Sequence, residues 1–124
     1  MQFDDKVPIY YQIKQYIYRE LIVEHLRAGD KLPAIRELAV TLTVNVNTIQ
    51  RALSELISEG VIVSQRGKGN FVTTDLKVLV ALKQRVLTAE FSELYDHLMA
   101  LNISPTEMVQ YLEDYIAQRK DDAK

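Results

Sequence analysis

The chain has 124 residues, 48% apolar and 26% charged, enough for one cored domain or for a domain plus a small appendage. It has no cysteine, which excludes a disulfide framework and a thiolate metal site. The formal net charge of -2 speaks mildly against a nucleic-acid partner, but the charge is uneven.

Residues 31–72 carry five basic side chains (Lys31, Arg36, Arg51, Arg66, Lys68) against three acidic ones (Glu37, Glu55, Glu59). That is a local +2, and it leaves the remaining chain at -4. No apolar run approaches the roughly 20 residues of a membrane span. The opening MQFDDKVPIYYQ lacks the basic-then-apolar pattern of a signal peptide. A cytoplasmic protein without membrane association is the expectation.

Residues 8–27 open with Pro8, which suits a first helical turn. Ile9, Ile13, Ile17 and Leu21 recur at four, with Tyr10, Tyr16 and Leu26 beside them, predicting an amphipathic helix stopped by Gly29. Pro33 opens a second, shorter helix with Leu38, Ala39 and Leu42 apolar. A third helix has Ile49, Leu53, Leu56 and Ile57 apolar and stops at Gly60.

The entry to that third helix, VNVN, alternates as a strand would. It reads better as a turn meeting a helix: Val44 packs under the turn, Asn45 caps and Val46 starts the helix. Next, VIVSQRGKGNFVT predicts a hairpin over 61–65 and 70–73 with a basic, glycine-containing tip. Over 75–101, Val80, Leu87, Phe91, Leu94, Leu98 and Leu101 fall close to a heptad seam. Ser104-Pro105-Thr106-Glu107 is a capping box with proline at N1. The last helix is expected to bury Met108, Val109, Leu112 and Ile116, and the tail QRKDDAK to fray.

Two closely spaced helices followed by a hairpin make a winged helix-turn-helix. The expected fold is mainly α with a small β-hairpin wing: a winged domain over 1–73 and a two-helix dimerisation appendage over 74–124. In such a motif the N-terminal end of the second helix enters the major groove. Here that end offers Asn45, Asn47, Thr48, Gln50 and Arg51. Asn and Gln can bond adenine, Thr can meet thymine, and Arg51 can neutralise a phosphate or read guanine. Asn45 serves mainly as an N-cap, and Arg51 could instead pair with Glu55.

Arg36, early in the second helix, suits a phosphate or an ion pair with Glu37 or Glu55. At the hairpin tip, Gly67 and Gly69 permit positive φ, and Arg66 and Lys68 supply charge for a minor groove or merely for solubility. Taken singly, each fits a solvated face; taken together, they point to double-stranded DNA. His25 and His97 are isolated, so no metal is expected. No nucleophile–base pair or phosphate-cradling loop is present, so neither a cofactor nor an enzyme is expected.

The stretch LPAIRELAVTLTVNVNTIQRALSELISEGVIVSQRGKGNFV resembles the winged helix-turn-helix of the GntR family, and its VNxNT form and short tail resemble the YtrA subfamily. The resemblance implies a homodimeric regulator, usually a repressor, on a palindromic operator, with transporter operons as frequent targets. By position it implies DNA contacts at Arg36, Thr48, Arg51 and Gly67. It also implies dimerisation for the tail, and the seam over 75–101 points the same way: two helices alone cannot bury Leu87, Phe91, Leu94, Leu98 and Leu101 on both sides.

Three residues depart from the family pattern. Ala34 stands for the usual serine, Val46 for the subfamily's proline, and Thr43 for a common glycine. A β-branched residue in a left-handed turn at 43 would cost about 1–2 kcal/mol. Two other readings fit the sequence. In one, an unknown effector binds a tyrosine-lined groove between the first helix and the C-terminal helices. In the other, the winged helix serves protein contacts.

Overall fold

The computed structural model describes residues 3–123. Five helices and one hairpin follow in order: α1 (Ile9–Ile22), α2 (Ile35–Leu42), α3 (Val46–Ser58), β1 (Ile62–Gln65), β2 (Gly69–Val72), α4 (Leu76–Ala100) and α5 (Pro105–Asp122). The chain divides into two compact units, Met1–Arg85 and Val86–Lys124.

In the first unit, α1 lays Ile13, Ile17 and Leu21 against Ile49, Leu53 and Leu56 of α3, all buried. Leu38 and Leu42 of α2, Val61, Ile62 and Val72 of the hairpin, and Leu82 of α4 complete the core. The strands are antiparallel, with Ile62 opposite Val72 and Gln65 opposite Gly69. This is the mainly α, winged helix-turn-helix arrangement that the sequence predicts.

The helix ends show why these segments stop where they do. At the end of α3 the Gly60 N–H donates to the Ile57 carbonyl at 3.0 Å and the Val61 N–H to Leu56 at 3.1 Å. This is a Schellman closure with a left-handed residue at its turn. The same pair of bonds closes α1 at Glu24, α2 at Thr43 and α4 at Asn102, with φ of 62°, 57° and 61°. Of the four, only Gly60 is a glycine.

Thr43 therefore holds the left-handed geometry that its β-branched side chain disfavours. Thr43→Gly is expected to raise stability by about 0.5–1 kcal/mol, after the extra freedom of glycine in the unfolded chain is offset. Denaturant titration reads this directly, and an unchanged or lower stability would show that the turn stores no strain.

Several sequence expectations are corrected. The first helix ends at Ile22 rather than at 27, because Glu24 adopts the left-handed turn before Gly29 is reached. Gly29 instead begins a segment that pairs with β2. The Gly29 N–H donates to Val72 at 3.0 Å, the Val72 N–H to Asp30 at 2.8 Å, and the Leu32 N–H to Asn70 at 2.8 Å. Lys31 thus lies opposite Phe71. Pro33 precedes α2 instead of opening it, and Ala34 holds the cap position with no side-chain bond.

In the second unit, Ser104 and Glu107 form the capping box, with mutual bonds of 3.1 and 3.2 Å. However, α5 buries none of its residues, and Val109, Leu112 and Ile116 are exposed. Periodicity marked an apolar stripe, but one chain's two helices do not enclose it. The QRKDD of the tail is helical through Asp122, with Arg119 and Lys120 favourably placed in the last turn; Lys124 lies outside the described residues. Among the described residues no helix is long and apolar enough to cross a membrane.

Candidate nucleic-acid interface

The short helix α3 is fixed from three sides. Its apolar stripe is buried, its C-terminus is closed by Gly60, and its N-terminus is capped by Asn45. The Asn45 Oδ1 accepts the Asn47 N–H at 2.7 Å, so this side chain is engaged by the helix itself. Val46 is the first helical residue and Val44 is half-buried beneath the turn.

The outer side of α3 has two flanks. Asn47, Thr48 and Arg51 line one shallow pocket together with Ile9 and Tyr10 of α1. Gln50 lies on the other flank. It lines a groove of about 480 Å³ with Ile35, Leu53 and the hairpin tip Arg66-Gly67-Lys68. Recognition-helix candidates and wing candidates are therefore brought together, but through Gln50 rather than through Thr48 or Arg51. Arg36 is exposed on α2 and lines neither surface.

The hairpin tip is a three-residue loop closed by the Lys68 N–H to the Gln65 carbonyl at 2.9 Å. Gly67 and Gly69 have φ of 76° and 118°, as the sequence predicts for this turn. A Cβ on Gly69 would lie 3.0 Å from Cε of Lys31, whose side chain crosses the hairpin here. Lys31 thus joins the cations of the tip. Its charge is plain from composition but its place is not, because that depends on a pairing with Phe71 forty residues away.

The electrostatics of this face differ from the formal count. Lys14 of α1 is 8% exposed, and its Nζ lies 3.1 Å from Glu55 and 2.6 Å from Glu59. Burial works against its charge, but hydrogen bonds to Glu59 and Glu55 outweigh burial and raise its pKa. Glu59 also accepts the Tyr18 hydroxyl and an Arg85 guanidinium, the latter at 3.1 Å. Burial disfavours its carboxylate, yet Lys14, Tyr18 and Arg85 hold its pKa below the ordinary 4.5.

Two of the three acidic residues in 31–72 are thus engaged internally. Lys31, Arg36, Arg66 and Lys68 have no ion pair among the described residues, so the alternative pairing of Arg36 with Glu37 or Glu55 is not formed. Arg51 does approach Glu55, but its Nε stands 3.7 Å away in a pair largely open to solvent. Such a pair is worth little by itself. Its guanidinium lies 3.8 Å over the ring of Tyr10, a contact that sequence reasoning missed, since it weighed the tyrosines only as core packing or as the lining of a cleft.

A separate cleft of about 630 Å³ lies between the end of α1 and the first turns of α4. Leu21, Leu26, Leu76, Leu79 and Leu82 line it, with Arg27 and Lys83 beside them. No tyrosine lines it, so this cleft is not the tyrosine-lined groove of the effector-binding alternative. Tyr18 is instead buried in the core and engaged by Glu59.

Comparison with known proteins gives a consistent result. The model of the family described as bacterial regulatory proteins, gntR family, matches residues 9–72. The chain is 32% identical over 114 residues to YhcF, an uncharacterised HTH-type transcriptional regulator of Bacillus subtilis (92% of this chain, 94% of the relative). It is 36% identical over 88 residues to the HTH-type transcriptional repressor YtrA of the same organism (70% and 68%). Among solved structures, a GntR family transcriptional regulator from Listeria monocytogenes superposes with a TM-score of 0.86 at 35% identity (90% and 98%).

Proposed function

Since the chain belongs to the GntR family of DNA-binding bacterial transcriptional regulators, on its YtrA-like side, we propose that it is a homodimeric repressor of a palindromic operator. The observation that carries the DNA-contacting surface is a set of cations with no ion pair among the described residues: Arg66 and Lys68 share a groove with Gln50 of α3, Lys31 lies against Gly69 of the wing, and Arg36 is exposed on α2. Asn47, Thr48 and Gln50 face base edges, Arg36 and Arg51 take phosphates, and Arg66-Gly67-Lys68 enters the neighbouring minor groove. Asn45 serves this surface mainly by capping the reading helix.

Dimerisation uses the seam of the appendage, residues 74–124. Leu87, Phe91, Leu94 and Leu101 are exposed in the single chain and Leu98 half-buried, at a spacing that suits a second helix. The exposed Val109, Leu112 and Ile116 of α5 extend the same need for cover. Repression as the output is supported by the likeness to YtrA, a repressor, and transporter operons are the targets that the resemblance to the YtrA subfamily implies.

Selection of bound sequences from random duplex DNA tests this reading. It is expected to return an inverted repeat with half-sites about one helical turn, roughly 10 base pairs, apart. A single asymmetric site would overturn the dimeric, palindromic reading, and no enrichment at all would overturn the surface assignment.

A further inference from the structure

We infer that Tyr10 is a positioning residue for DNA binding: its ring face holds the Arg51 guanidinium ready to engage the duplex. The inference rests on the assignment of Arg51 to the DNA-contacting surface.

The geometry is that of a close cation–π stack, with the guanidinium carbon 3.8 Å from the ring centroid. Arg51 is otherwise loosely held, since its side chain is 64% exposed. An arginine in that setting samples many rotamers and loses that freedom when a phosphate fixes it. A ring beneath the guanidinium removes part of that loss before binding, which is how preorganisation raises affinity without adding a contact. The stack covers one face of the guanidinium plane and leaves its edge donors available.

The ring itself is firmly mounted. Tyr10 is half-buried in the first turn of α1, and the next turns of that helix carry Ile13, Lys14 and Ile17, all buried. Among the described residues the one acidic group paired with Arg51 is Glu55, and it is restrained. Its Oε1 is held by Lys14 at 3.1 Å, and its Oε2 stays 3.7 Å from the Arg51 Nε, beyond a hydrogen bond. The carboxylate steadies the arginine by charge without capturing its donors. Tyr10 thus supplies orientation from one helix while Glu55, tied back to that same helix, refrains from neutralising what is oriented.

The test uses the full chain and a duplex recovered by selection. Tyr10→Leu is expected to weaken binding about tenfold, from a two- to fivefold loss at each of two protomers. The slope of affinity against salt should stay unchanged, because the arginine still reaches its phosphate and only its readiness is lost. Tyr10→Phe, which keeps the ring face and the packing, should bind within twofold of the parent. Adding Tyr10→Leu to Arg51→Ala should cost less than a further twofold.

Three results would overturn the inference alone: Tyr10→Phe binding as weakly as Tyr10→Leu, a salt slope that falls with Tyr10→Leu, or an equal loss in the Arg51→Ala background. Arg51→Ala binding as tightly as the parent would instead remove the surface assignment on which the inference stands.

Discussion

Arg51→Ala is expected to bind the selected duplex about 100-fold more weakly than the parent. A charge-assisted contact is worth about 1.5–3 kcal/mol, and a dimer makes it twice, so the lower figure at each half-site already gives that factor. The salt dependence should flatten as well, by about 0.9 in slope for each phosphate left without its cation. Affinity measured at several salt concentrations gives both quantities. Stability should change by no more than about 0.5 kcal/mol, because the side chain is 64% exposed and its pair with Glu55 is long. The two readouts therefore separate a contact to DNA from a contribution to the fold. Parent-like affinity and slope would mean that the flank of α3 facing α1 does not meet the duplex.

The second large effect concerns the buried charges beneath that flank. Glu59→Ala is expected to destabilise the protein by about 3 kcal/mol. It removes one of two partners of a buried ammonium and leaves the Tyr18 hydroxyl without its acceptor. The estimate sits at the low end for broken buried pairs because the Glu59 side chain retains 25% exposure. Lys14→Met should cost far less, since Glu59 keeps Arg85 and Tyr18. The double variant Lys14→Met, Glu59→Leu should recover part of the loss, because it removes the buried ammonium together with its partner, while the Tyr18 hydroxyl stays without its acceptor. Denaturant titration of the three variants checks this order, and a Glu59→Ala cost below about 1 kcal/mol would contradict it.

The same cluster has a pH signature. The Glu59 pKa is lowered on folding, so its contribution is present above 4.5 and is lost as the pH falls through the lowered value. The Lys14 pKa is raised, so its contribution is full below 10.5 and fades as the pH climbs above it. Between those limits the network holds α1, α3 and the first turns of α4 together at full strength.

Much of this arrangement was legible because it is local. The Ile49, Leu53 and Leu56 spacing, the Asn45 cap and Gly60 together define α3, and the β-branched runs around Arg66-Gly67-Lys68 define the wing. What was not legible depends on distant parts of the chain or on backbone geometry without a residue signature. Glu24 ends α1 in a left-handed turn that nothing in its side chain announces, while Leu26 continues the apolar period beyond it. Lys31 meets Phe71 only once the hairpin has folded. The division of the reading helix into an α1 flank and a wing flank follows from how α1 crosses α3, which no spacing within α3 encodes. In α5 the apolar stripe was legible, but a stripe does not say what covers it.

The segment 29–32 alongside β2 also bears on solubility. A two-stranded hairpin offers two unpaired edges, and each is a template on which another chain can add a strand. Here the outer edge of β2 is already occupied through Gly29, Asp30 and Leu32. Among the described residues only β1 keeps an open edge, and it is four residues long. The hairpin is thereby a poor nucleus for aggregation, and the residues that shield it come from the connection between α1 and α2.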